Sequence, residues 1–447
     1  MHWNTATTAI AACGAAALVS AHGGEHPVPR IAGDARALAE LVGRDGYLTQ
    51  MHNLQARDSH HGGIERRQSA NPERCGAGVG KCQDGYCCSS AGWCGNTATY
   101  CWAPDCQIDY GDACDGNQKP KGKDTSAVKR NKLGKVPYGP EIYNCTRKGD
   151  IAITYDDGPY LYTGDLLDIF KKFGAKATFF INGNNKGKGH INDPNKPWGG
   201  MIKRMAAEGH QVASHSWSHQ NYTQLSKDQF RDQLIWNEVA INDILGYFPT
   251  YYRPPYSICP KDCQDTLAEL GYHNVHFVLD TNGLANDDPL KIGQSKQIWD
   301  TAMNGSSACD QSFIHIEHDL QVQTVYNLTA YMLGSLYRHG FRSVTVGECL
   351  GDPAENWYRS GPDGAQIPKY DFPVKENKCD GSAPPSMTFS LEPTLPTFVA
   401  ASTEKPSGAT TVPSPTPSNP NGAQALSSMG SSFLVLAVGA LITAVLS

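Results

Sequence analysis

Residues 151–159 read IAITYDDGP. The opening run is apolar, β-branched and aromatic, which suits a buried strand. It ends by presenting two adjacent carboxylates, Asp156 and Asp157. Like charges side by side repel unless something nearby offsets them. Taken alone, the stretch reads as a turn, because Asp, Gly and Pro are turn formers and punctuate a chain. The residues further along the chain decide between a turn and a site.

From 137 to 350, apolar runs alternate with amphipathic ones. Strand-like runs fall at 150–155, 176–182, 210–214, 250–253, 274–280, 311–316 and 342–346. Helical periods fill 163–173, 199–208, 226–246, 262–270, 289–303 and 321–339. Repeated βα units imply parallel strands under helices, an α/β barrel or an open sheet. In barrels, chemistry gathers at the C-terminal strand ends.

Five such ends carry ionisable groups: Asp156-Asp157, HSWSH at 215–219, RPPY at 253–256, Asp280 closing HFVLD, and His318-Asp319 closing FIHIEHD. The spacing of His215 and His219 predicts two imidazoles on one side of a helical turn, where they grip one metal. Ser216 stands where a metalloprotease helix needs Glu, so that chemistry is not supported. Two His and one Asp make a three-ligand divalent site with an open position, the form of catalytic zinc sites. Water in that position has its pKa lowered towards ~7. The paired carboxylates are therefore read as one metal ligand and one proton acceptor.

These five elements, in this order, resemble the motifs of the NodB-homology polysaccharide deacetylases, family four of the carbohydrate esterases, over about 145–350. The resemblance implies an α/β fold, a distorted (β/α) barrel. It implies that Asp157, His215 and His219 bind Zn2+, Co2+ or another divalent metal, and that Asp156 is the general base. His318 would protonate the leaving amine. The backbone N–H of Tyr256 would help hold the oxyanion, a contribution of ~3–4 kcal/mol for one donor. Arg253 would hold Asp156 and Asp280 would tune His318. One departure stands out. The family carries an Asp and an aromatic shortly after the fourth-motif Asp, whereas here the chain reads DTNGLAND, with Gly283 and Leu284. Leu284 with Ile316 is expected to supply the apolar wall of the acetate pocket.

Fifteen cysteines, eight of them within 75–114, point to an oxidising compartment and a disulfide scaffold. The stretch 75–114 is too small for an ordinary core and must be stapled. Its aromatics offer flat faces for sugar rings. Within it, CCSSAGWCGNTATYC is similar to hevein-type chitin-binding domains, carbohydrate-binding module family 18. That similarity puts Ser89, Trp93 and Tyr100 at sugar-contact positions, with Ala91 where many members carry another aromatic. It also implies the pairs Cys75–Cys88, Cys82–Cys94, Cys87–Cys101 and Cys106–Cys114. A scaffold without a ligand is the alternative. Elsewhere, Cys259 and Cys263 are close enough to staple the loop after RPPY, and Cys145 and Cys349 bracket the larger domain. Cys309 and Cys379 complete an even set of fourteen if Cys13 leaves with the leader.

The flanking segments have their own signatures. Residues 1–21 read as a signal peptide ending Val19-Ser20-Ala21. Residues 22–67 read as a pro-region cut at Arg66-Arg67, 72–115 as the hevein-type domain, 116–136 as an exposed basic linker and 137–351 as the deacetylase domain. A C-terminal extension and Ser/Thr/Pro-rich stalk follow at 352–420, and both terminal segments are expected to be disordered. Residues 421–447 carry small residues, a spacer and an apolar tail, the pattern of a GPI-anchor signal, with Asn421 as the anchor site and Gly422 or Ser427 as alternatives. Sequons at Asn144, Asn221, Asn304 and Asn327 are expected to mark glycosylated surface loops.

The net charge of −6 gives no reason to expect nucleic acid as a partner. Both resemblances together imply a chitin deacetylase at a fungal cell surface, attached to the plasma membrane through its GPI lipid and acting as a monomer on chitin. The alternatives are a deacetylase of peptidoglycan or acetylxylan, and a wall lectin with a decayed barrel. Removal of 75–114 is expected to spare short soluble oligomers and to reduce activity on insoluble chitin.

Overall fold

In the computed structural model, which describes residues 74–367 and 369, the stretch Asp150–Asp156 is a strand buried at every position. Its side chains alternate as a pleat requires. Ile151, Ile153 and Tyr155 join the main hydrophobic cluster with Leu166, Phe170 and Phe179. Thr154 and Asp156 accept hydrogen bonds from Arg253 on the other face.

Eleven strands of the larger domain follow in chain order: β1 (Glu141–Ile142), β2 (Asp150–Asp156), β3 (Thr178–Ile181), β4 (Gln211–Ser214), β5 (Tyr247–Pro249), β6 (Tyr251–Tyr252), β7 (His273–Val275), β8 (Leu279–Asp280), β9 (Phe313–His318), β10 (Arg342–Val344) and β11 (Tyr358–Ser360). Nine of them form one sheet in the order β8-β9-β2-β3-β4-β6-β7-β1, with β10 against the first half of β2. All pairings within it are parallel. Helices α1 (Thr163–Phe173), α2 (Trp198–Ala207), α3 (Lys227–Leu245), α4 (Lys261–Leu270), α5 (Ile292–Asn304) and α6 (Thr329–Arg338) occupy the crossovers. This is the distorted (β/α) barrel that the motif order implies.

The helices end where local chemistry stops them. Ser226 and Gln229 form a reciprocal capping box at the start of α3, and Gly246, at φ 82°, closes it. Along α1, Leu166, Leu167, Phe170 and Phe173 are buried on one stripe.

Several expectations are corrected. The run 274–280 forms two short strands. His273–Val275 pairs with β6, while Leu279–Asp280 pairs with β9 at the opposite end of the strand order. Between them the chain crosses the barrel's seam, with His276 N–H donating to Ile142 O (2.7 Å) and Val278 N–H to Ile314 O (3.1 Å). Residues 116–136 are exposed at their lysines, yet Thr125 is buried. Arg130 and Thr125 both donate to the Glu238 carboxylate of α3 at 2.6 Å, so this segment is a strap across that helix. Beyond 351 the chain continues to pack: β11 pairs antiparallel with β5, and Trp357 is buried. Asn144 and Asn304 are exposed, but Asn221 is half-buried, and Asn327 lies half-buried in a π-helical turn, Thr324–Leu328, where a loop was expected.

In the small module, Cys87–Cys88 and Cys94–Gly95 pair antiparallel. All four implied disulfides form there, and Cys145–Cys349 and Cys259–Cys263 form in the barrel. Cys309 is also disulfide-bonded. Among the described residues, no helix is long and apolar enough to cross a membrane. The leader, the pro-region, the Ser/Thr/Pro stalk, Cys379 and Asn421 lie outside the described residues.

Candidate active site

Among the described residues, seven non-glycine residues have φ in the left-handed region, and all follow a C-terminal strand end of the sheet. They are Asp157 (75°) after β2, Lys186 (53°) after β3, Ser216 (71°) and His219 (56°) after β4, Tyr256 (59°) and Ser257 (54°) after β6, and Asn282 (58°) after β8. Such conformations cost roughly 1–3 kcal/mol each and persist where surroundings over-determine them. Their concentration at one end of the barrel marks the site independently of any motif.

HSWSH forms no helical turn. Its two left-handed residues make a tight loop in which Ser216 Oγ accepts from His219 N–H (3.1 Å). Asn182 Nδ2 braces that loop by donating to Ser216 O (3.1 Å) and to His215 O. The loop brings the imidazoles to 5.0 Å between ring centres. Asp157 Oδ1 lies 3.2 Å from His219 Nε2 and 3.6 Å from His215 Nε2. Ring nitrogens and carboxylate oxygen all fall within 4.8 Å of one another, and all three residues are buried.

This donor set fits a divalent cation. Asp157 Oδ1 and His215 Nε2 are buried without a hydrogen-bond partner among the described residues, a costly state unless a cation completes it. His215 Nδ1 sits 2.7 Å from Arg253 O, which orients Nε2 towards Asp157. Two imidazoles and one carboxylate suit Zn2+ and its neighbours.

Asp156 stands beside this cluster. Its Oδ1 accepts from Arg253 Nη1 at 2.7 Å. Its Oδ2 has no hydrogen-bond partner among the described residues and lies 3.7 Å from His215 Nε2. Arg253 is itself buried and locked by Thr154 Oγ1 (2.6 Å) and His276 O (3.1 Å). The like charges coexist because each has its own cationic partners. Burial raises the Asp157 pKa, but His219, His318, His215 and Lys186 outweigh it and hold that carboxyl well below its usual range.

His318 ends β9 directly opposite Asp156 in the β9–β2 register. Burial raises the Asp280 carboxyl; the Asn282 N–H (2.6 Å) and the nearby His318 act against that shift. The Tyr256 ring lies 4.8 Å from that of His219. Ile316 is fully buried, lies opposite Asp280 and Thr154, and belongs to none of the hydrophobic clusters. Leu284 is half-buried in the turn after β8. In the small module, Trp93 is exposed, and Ser89 and Tyr100 are half-buried.

Sequence reasoning missed a supporting layer. Lys188 is buried and donates to Asp157 O (3.1 Å) and Gly158 O (2.9 Å). Asn185 Nδ2 donates to Asp157 O (3.2 Å). Their only signal was a polar, glycine-rich run after β3. A Cβ at Gly158 would collide with the Asp319 carboxylate, which explains the glycine of DDGP. Glu317 is fully buried, and burial pushes its carboxyl up to about 8.

Residues 143–275 match the polysaccharide deacetylase family. A chitin deacetylase of Colletotrichum lindemuthianum is 40% identical over 225 residues, which cover 50% of this chain and 89% of that protein. This chain belongs to the polysaccharide deacetylase family. A chitin deacetylase of a Pestalotiopsis species is 38% identical to this deacetylase over 240 residues, 54% of the chain and 76% of that protein. A solved structure of the Colletotrichum lindemuthianum chitin deacetylase superposes with a TM-score of 0.48 at 40% identity, covering 50% of this chain and 97% of that one. The deacetylase is thus a carbohydrate esterase. The family match takes in Asp156, Asp157, His215, His219, Arg253 and Tyr256, and Asp280 and His318 lie beyond it.

Proposed function

We propose that this enzyme is a divalent-metal-dependent chitin deacetylase, hydrolysing the N-acetyl groups of GlcNAc units to give free amine and acetate. One observation carries the reading: the buried Asp157–His215–His219 donor cluster lies beside a second carboxylate, Asp156, held on one oxygen by Arg253 and unpartnered on the other.

Asp157, His215 and His219 hold the cation, Zn2+, Co2+ or a neighbour, which when bound supplies Lewis-acid polarisation and lowers the pKa of water. Asp156 Oδ2 takes a proton from the attacking water as its oxygen bonds to the acetyl carbonyl carbon. The Tyr256 main-chain N–H donates to the developing oxyanion. His318 gives its proton to the amide nitrogen, so that the C–N bond breaks with a neutral amine leaving. Arg253 holds Asp156 in place through its hydrogen bond, and Asp280 orients His318. Ile316 and Leu284 face the acetyl methyl.

Two findings support chitin as the polymer: relatives named chitin deacetylases at 38–40% identity, and the disulfide-stapled module with its exposed Trp93. Thirteen described cysteines in disulfides suit an extracellular protein. Attachment through a GPI lipid at Asn421 belongs to the same reading and rests on the residue order of 421–447 alone.

The test is acetate release from chitin oligomers and from peptidoglycan by the metal-loaded protein, with Asp156→Asn alongside. Release from chitin by the parent, and none by a variant that keeps its metal, is the expected outcome. Release from peptidoglycan alone would overturn the substrate, and an active Asp156→Asn would overturn the base.

A further inference from the structure

The small module sits against the two barrel loops that build the site. Lys186 N–H, after β3, donates to Ala103 O at 2.8 Å. Asn184 Nδ2, in the same loop, donates to Asp115 O at 3.2 Å. Gln220 Nε2, immediately after His219, donates to Pro104 O at 3.4 Å. Further out, Gln229 Nε2 donates to Asp109 Oδ1 at 2.6 Å. Through Asn185 and Lys188, the first of these loops also holds the backbone of Asp157.

Trp102 lies on this seam. Its indole rests on the backbone of Gly187, where a Cβ would collide with Cε2 and Nε1. Gly187 is the one residue type that provides so flat a seat at φ +68°. The indole is nevertheless 40% exposed. The loop that carries Gly187 also carries Lys188, which donates to Asp157 O at 3.1 Å. Trp102 is thus exposed beside the loop that holds the Asp157 backbone, two residues after Tyr100.

We infer that Trp102 is a sugar-stacking subsite of the deacetylase cleft, receiving a pyranose unit of the same polysaccharide chain whose acetyl group is being removed. This rests on the reading of the enzyme as a chitin deacetylase. An exposed indole face suits the apolar face of a sugar ring, and remote binding of this kind raises kcat/KM for long substrates. The module thus shapes chain-length preference as part of the active enzyme.

The experiment compares acetate release from a GlcNAc dimer and a hexamer by the full chain and by Trp102→Ala and Trp102→Phe. Trp102→Ala should lower kcat/KM for the hexamer about tenfold and leave the dimer within about twofold, and Trp102→Phe should recover most of the loss. Retention of Trp102→Ala on insoluble chitin would show that the module is still folded. An unchanged hexamer rate, or equal losses on dimer and hexamer with retention intact, overturns the subsite. If the parent releases no acetate from either oligomer, the chitin reading falls and takes the subsite with it. If retention is also lost, the subsite stands or falls on Trp102→Phe, which keeps the aromatic volume: its hexamer-to-dimer ratio must match that of the parent.

Discussion

The carbonyl oxygen of Arg253 lies 2.7 Å from His215 Nδ1, and the guanidinium of the same residue donates to Asp156 Oδ1 at 2.7 Å. One residue thus meets the proposed metal donor His215 through its backbone and the proposed base Asp156 through its side chain. These roles separate on mutation. Arg253→Lys keeps the carbonyl but loses the planar guanidinium whose Nη1 donates to Asp156 and Thr154 while Nε and Nη2 are anchored on Val275 O and His276 O. We expect kcat to fall about 10–100-fold with the metal content unchanged. Elemental analysis beside steady-state kinetics checks this, and loss of the metal together with activity would refute the separation.

His215→Ala removes one of three donors and should strip metal and turnover together. Metal affinity should drop by well over tenfold, as read by competition with a chromogenic chelator. Retention of a full equivalent would remove His215 from the ligand set.

Gly283 is explained by Glu317. A Cβ at 283 would collide with Glu317 Oε2, whose carboxylate also accepts from Thr324 Oγ1 (2.9 Å) and Thr281 Oγ1. The space beside this turn is filled from the neighbouring strand, by Glu317. Gly283→Ala should therefore destabilise the barrel by roughly 1–3 kcal/mol, the cost of overpacking, measured by denaturant midpoint. A neutral Gly283→Ala would show that the Glu317 side chain has room to move.

Asp115 lies at the seam between module and barrel, and burial pushes its carboxyl up from 3.8 to about 6, against the pull of the Ala103 N–H. A carboxyl raised on folding favours the folded state while it is neutral. Its contribution is full below about pH 3.8 and is lost as pH rises through about 6, a difference of roughly 1–3 kcal/mol. Wild type should lose stability relative to Asp115→Asn between pH 4 and 7 and run parallel to it above that. A difference that stays constant across the range would sink the assignment.

Much of this molecule was legible because its signals are local. The period of each run between 137 and 350 depends on neighbours a few residues away, so the strand and helix order emerged nearly intact, and α1 falls at 163–173 as its stripe indicates. The five motif ends were equally plain, since each is a short residue pattern with its own chemistry.

What escaped depends on partners distant in the chain. Residues 274–280 look like one strand, and split because β6 and β9 claim its two halves from opposite ends of the sheet. A spacing of four between His215 and His219 is the same in a helix and in a loop, and Asn182, 33 and 34 residues away, helps hold it as a loop. Thr125 and Arg130 read as linker until Glu238 is placed beneath them. The hydrogen bonds from Asn184, Lys186 and Gln220 to the module were likewise invisible in the sequence, because they join residues roughly 70–120 positions apart. Periodicity and composition say which face of a segment is apolar. Which side chain stands opposite that face is set by long-range pairing and burial, and Asp156, Asp157, His215, His219 and Arg253 come together by that route.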